Sequence, residues 1–169
     1  MKKATIIVSV SALLMLLWTV APTFARIENQ SASALLYSPG SDMYLFVSFS
    51  RTSTAEDQHT YYIYLMIPDG GDLSKPLWSE GQYSDSASWK STAAWATGTV
   101  TYQSATITFS ATWKATTHKP TTTELDDGVI NISRDALATA TFGTMNFVQE
   151  DPLDLCSAVI YKEWVPPGY

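Results

Sequence analysis

The chain has one cysteine, Cys156, so no disulfide can form within it and the fold must rest on its apolar core. Cys156 opens a strand-like apolar run to Tyr161, where a buried, inert thiol is expected. Histidine is scarce too. His59 and His118 are the only two, and neither stands in a recognisable catalytic or zinc motif. There is no Gly-x-Ser-x-Gly elbow and no His-Glu-x-x-His pair. A lone cysteine and two distant histidines also argue against zinc.

Basic residues are few: ten Lys and Arg against sixteen Asp and Glu, for a formal net charge of −6. They form no cluster. An acidic surface repels phosphate backbones and anionic headgroups, which argues against nucleic acid and charged membrane surfaces as partners. The acids are spread along the chain, which suits solubility, and some stand in turn-like segments, Asp69–Asp72, Asp126–Gly128 and Glu150–Asp154. None has EF-hand spacing, and Asp and Gly are the ordinary residues of turns. No metal, no cofactor and no catalytic residue is therefore assigned. A glycosidase would need two facing carboxylates, and nothing selects Glu124 and Glu150 for that role.

The chain opens Met1-Lys2-Lys3, runs apolar from Ala4 to Val20, and has small residues at Thr23 and Ala25. This pattern predicts a cleaved signal peptide over 1–25, a secreted or periplasmic protein, and no stable membrane anchor. Residues 26–169 would then form a single domain. Both early lysines fall before the cut and all sixteen acids after it, so the remaining net charge would be −8.

What the chain does have is period-two alternation. Ala105, Ile107, Phe109, Ala111 and Trp113 share one face, and Thr106, Thr108, Ser110, Thr112 and Lys114 share the other. This is the pattern of a half-buried strand. Asp42–Thr52 and His59–Ile67 also alternate, and the short connection between them predicts an antiparallel hairpin. The second face of the later strand carries Tyr62, Tyr64 and Met66, and should be covered by a loop, a ligand or another chain. Ala34–Tyr37, Val129–Ser133, Thr139–Phe147 and Cys156–Val165 read as further strands. A helix from Ser133 is an alternative, and Arg134-Asp135 reads as an interruption. A parity switch at Gln103-Ser104 marks a two-residue turn or a bulge.

The expected architecture is all-β: a single antiparallel β-sandwich of about seven to nine short strands, with a small β-barrel as the alternative. Leu45, Val47, Phe49, Ile63, Leu65, Ile107, Phe109, Trp113, Val159 and Ile160 would supply its core.

Between Leu73 and Lys90 no period is sustained, and the stretch reads as a long loop. It carries Trp78, Tyr83 and Trp89, with Trp95 soon after. Exposed rings stack on sugars or anchor a protein partner, so these four are the candidate ligand-binding residues. They are expected to cluster at one end or face of the sandwich with at least two rings exposed; the alternative is a lid over the core. The function expected is an exported, non-catalytic binding domain with a protein or carbohydrate partner. A strand-donating or pore-forming protein is one alternative, since alternating strands also suit membrane hairpins. A small secreted hydrolase, its site assembled in space around His59 or His118, is the other.

Overall fold

The computed structural model describes residues 26–53, 59–84, 86–116, 119–150 and 153–165. The predicted signal segment, His118, most of the Ser53–Gln58 loop and the terminal Pro166–Gly168 turn lie outside them. Eleven strands follow in order: β1 (Arg26–Ser38), β2 (Met43–Ser53), β3 (His59–Asp69), β4 (Asp72–Ser84), β5 (Ala87–Lys90), β6 (Ala93–Tyr102), β7 (Ala105–Ala115), β8 (Thr121–Glu124), β9 (Ile130–Phe142), β10 (Met145–Phe147) and β11 (Ser157–Val165). Their ladders are antiparallel and join one sheet in the order β4-β3-β2-β1-β11-β9-β7-β6-β5, with β8 and β10 each pairing β9. The sheet does not close into a barrel.

Strand β9 makes this one sheet act as two layers. Its first half, Ile130 to Asp135, pairs with β11, and its second half, Ala136 to Phe142, pairs with β7. The strand thus leaves one layer at Asp135 and enters the other. Asp135 also offers its carbonyl to the backbone N–H of Thr116, 2.9 Å away. Arg134-Asp135 is therefore a crossing point within one strand. No helix starts at Ser133, because every residue on to Phe142 is held by cross-strand pairing.

The two layers enclose the core. Ala32, Ala34, Leu36, Leu45, Val47, Phe49, Ile63, Leu65 and Ile67 come from β1–β3. Facing them are Ala94, Ala96, Phe109, Ala111, Trp113, Ala138, Ala140 and Phe142. Alanines and large rings are mixed on both inner faces. The Phe49 and Trp113 rings meet at 5.4 Å across the gap. Of the expected core, Ile107 packs only at its margin, and Val159 faces the other way, because Ile160 takes the inward position.

More strands exist than the seven to nine expected, and several are long. The aperiodic Leu73–Lys90 stretch is mostly strand, forming β4 and β5. β4 is an edge strand that pairs only with β3, so its far side needs no apolar period. Lys75, Pro76 and Gly81 on it are residues that discourage further strand pairing. Beside it the free edge of β6 is partly satisfied by a side chain, since Thr101 N–H donates to Glu80 Oε2 at 3.0 Å. The parity switch at Gln103-Ser104 is a two-residue turn, with φ of 48° and 65° at these residues. Tyr102 pairs with Ala105 across it. Hairpin twist demands this backbone, and here it overrides the usual preference for Asn-Gly.

Candidate functional site

The structure does not gather Trp78, Tyr83, Trp89 and Trp95 into one cluster. Successive residues on a strand point to opposite faces, and these four fall on strands of both layers. Trp78 lies opposite the buried Ile67 and turns inward. Its ring sits 5.4 Å from Tyr102 and 5.5 Å from Phe142, capping the core where β4 approaches β6. Trp89 also turns inward from β5 and donates its indole N–H to the Ser31 carbonyl at 3.0 Å, tying the layers together. Tyr83 points out from the β1–β4 layer and is 75% exposed. Trp95 points out from the opposite layer, beside Thr112, and is 43% exposed. Two rings are thus exposed, on opposite sides of the molecule, while the other two act as a lid.

A different set of rings does come together. On the outer face of the β1–β4 layer, register places Phe46 opposite Met66, Ser48 opposite Tyr64, and Ser50 opposite Tyr62. On the next strand Tyr64 faces Gly81 and Tyr62 faces Tyr83. The Tyr62 and Tyr83 rings meet edge-on at 5.1 Å, and Phe46 meets Tyr64 at 6.4 Å. Tyr62 is 40% exposed. Gly81 provides the space: a β-carbon there would stand 2.7 Å from Tyr62 Cζ.

The segment before β11 covers the far end of this face. Leu155 Cδ1 comes within 3.0 Å of where a β-carbon on Gly71 would stand, the Tyr44 ring lies against the same spot, and Leu35, Tyr44 and Met66 are buried. The cover expected from the sequence is thus partial. A loop takes the Tyr44 end, and the Tyr62–Tyr83 end stays open. The alternation of Thr60, Tyr62, Tyr64 and Met66 marked this face in the sequence. Its partners on β4 were hidden because that stretch reads as a loop.

The titratable groups nearby have structural roles. Tyr161, in the same cross-strand row as Ser31, donates a hydrogen bond to Asn131 Oδ1. Burial, followed by the charge of Glu163 and its hydrogen bond, raises its pKa above the usual phenol value. Asp72 accepts from the Ser74 hydroxyl at 2.7 Å and its backbone N–H at 3.0 Å, and Lys75 lies 3.2 Å away. These contacts hold its carboxyl below the usual range. Asp127 likewise closes its own turn by accepting from Val129 N–H.

Among the described residues no group of three His, Cys, Asp or Glu could hold a metal ion. His118 and the side chain of His59 lie outside them. Cys156 is half-buried and sits just before β11 begins, so the buried position expected for it is not the one observed. No family model, no curated protein and no solved structure matches the chain.

Proposed function

We propose that the protein is an exported, non-catalytic binding domain that holds a glycan on the Tyr62–Tyr83 end of the outer sheet face. One observation carries this reading: two tyrosines on adjacent strands, in edge contact at 5.1 Å, remain open to solvent beside a side-chain-free Gly81. A pyranose presents an apolar C–H face and a rim of hydroxyls. Tyrosine matches both, with a flat apolar ring, a polar tip and only two side-chain torsions to immobilise. Ser48, Ser50 and Ser79 on the same face supply further hydroxyls. A protein partner would favour a more continuous apolar surface with a central anchor. Export is the expectation drawn from the first 25 residues, and intact mass of protein from the exported fraction tests it by placing the N-terminus at Arg26.

The binding test is a glycan array followed by calorimetry on the strongest hits. Saturable binding that weakens about tenfold or more in Tyr62→Ala and in Tyr83→Ala supports the site. Binding that is indifferent to both substitutions, or no binding by any glycan at millimolar concentration, rejects it.

A further inference from the structure

The tyrosine pair is one end of a longer row. Cross-strand register runs Tyr83, Tyr62, Ser50, Ser31 and Tyr161 across β4, β3, β2, β1 and β11. The neighbouring row runs Gly81, Tyr64, Ser48, Ser33 and Val159. Their sequence neighbours Ile63, Phe49, Ala32 and Ile160 are buried in the core, so both rows face outward. Large side chains stand on β3 and again on β11, and the two strands between carry only serine in these rows. Side chains stand roughly perpendicular to a sheet, so this pattern makes a shallow trough with a hydroxyl floor.

The far wall is held in place. Tyr161 donates its hydroxyl to Asn131 Oδ1, with Glu163 Oε2 3.4 Å away, so its ring is ordered before any ligand arrives. No basic residue stands in either row. Asp135 lies next beyond Val159, and Glu163 flanks Tyr161. Carboxylates accept hydrogen bonds from sugar hydroxyls and repel carboxylated or sulfated sugars.

We propose that the glycan is a neutral linear oligosaccharide that crosses the strands over this serine floor, from Tyr62 and Tyr83 at one end to Tyr161 at the other. The inference rests on the tyrosine-face reading and extends it. β3 and β11 are three strand spacings apart, roughly 14 Å, which about three linked pyranoses span. The Tyr62–Tyr83 pair takes one end unit, the four serines meet hydroxyls along the chain, and the Tyr161 ring takes the far unit.

Calorimetry tests this with β-1,4-linked gluco-, manno- and xylo-oligosaccharides and α-1,4-linked gluco-oligosaccharides of one to six units. In at least one series affinity should rise about tenfold or more between one unit and four, then level off. Tyr161→Ala should remove that rise, and Tyr161→Phe, which keeps the ring, should retain most of it. Ser31→Tyr sets a ring on the floor and should remove the rise as well. Tetragalacturonate should bind about tenfold or more weakly than the neutral tetramer. Circular dichroism confirms that each variant is folded, and the length dependence of the wild type stands on its own if one is not. The inference is overturned if affinity does not grow with length, if the rise survives in folded Tyr161→Ala or Ser31→Tyr, or if tetragalacturonate binds as well as the neutral chain. Short-chain binding that Tyr62→Ala and Tyr83→Ala weaken would then leave the tyrosine-face reading standing alone. Binding by none of the series at millimolar concentration also overturns the inference, and the glycan array decides the tyrosine-face reading separately.

Discussion

The ring of Tyr62 lies across Gly81, occupying the space a side chain at that position would fill. The two residues are not direct cross-strand partners; Gly81 faces Tyr64, and Tyr62 reaches it diagonally. Gly81 does not have a positive φ, so what it supplies is room. Gly81→Ala should push Tyr62 off the strand surface into solvent, where its phenol tip can move freely. Thermal denaturation should then register a loss of about 1 kcal/mol or less. Glycan affinity should fall as it does in Tyr62→Ala. A stable Gly81→Ala protein with undiminished affinity counts against the proposed face.

Trp78 and Tyr83 sit five residues apart on β4 and should behave in opposite ways. Trp78 packs on Tyr102 and Phe142. Trp78→Ala should cost about 3 kcal/mol, the low end for emptying a packed aromatic site, because the ring is half-buried. Tyr83→Ala should change stability by roughly 0.5 kcal/mol or less, as for most exposed positions. Urea denaturation of both variants checks this, and equal costs would contradict the inward and outward assignment.

Trp113 is the largest fully buried side chain, and its indole N–H has no hydrogen-bond partner among the described residues. Trp113→Ala should cost about 3–5 kcal/mol through the cavity it leaves. Trp113→Phe should cost much less. It keeps most of the ring volume against Phe49 and removes a donor that has no partner among the described residues. Denaturant midpoints measure both, and similar losses in the two variants would imply a bond to that N–H.

Tyr161 should make stability fall at alkaline pH. Its pKa is raised in the folded state, so the native protein holds the phenol proton more tightly than the unfolded chain does. The contribution is constant below the unfolded value of about 10 and is lost as pH climbs from there through the folded value. Spectrophotometric titration of the phenolate band should show one late-titrating tyrosine that is absent in Tyr161→Phe. Glu163→Gln should return it part of the way toward the ordinary value.

Local sequence carried the strands that have one face in the core. The alternations over Met43–Ser53, His59–Asp69 and Ala105–Ala115 follow from burying every second side chain, and their inward residues Leu45, Phe49, Ile63, Leu65, Phe109 and Trp113 all lie in the core. Tyrosine on the second face of β3 was visible in the same pattern. The strand that completes that face was not. β4 is held by backbone bonds to β3, and such bonds leave no mark on side-chain periodicity. Pairing between distant segments is equally silent. Gln30 meets Lys162 only because β1 and β11 lie side by side, and Arg134 faces Trp89 only because β9 crosses from one layer to the other. Period-two patterning tells a residue which face it takes on its own strand. Which strand lies beside it, and what faces it across the core, is settled by the closing of the whole sheet.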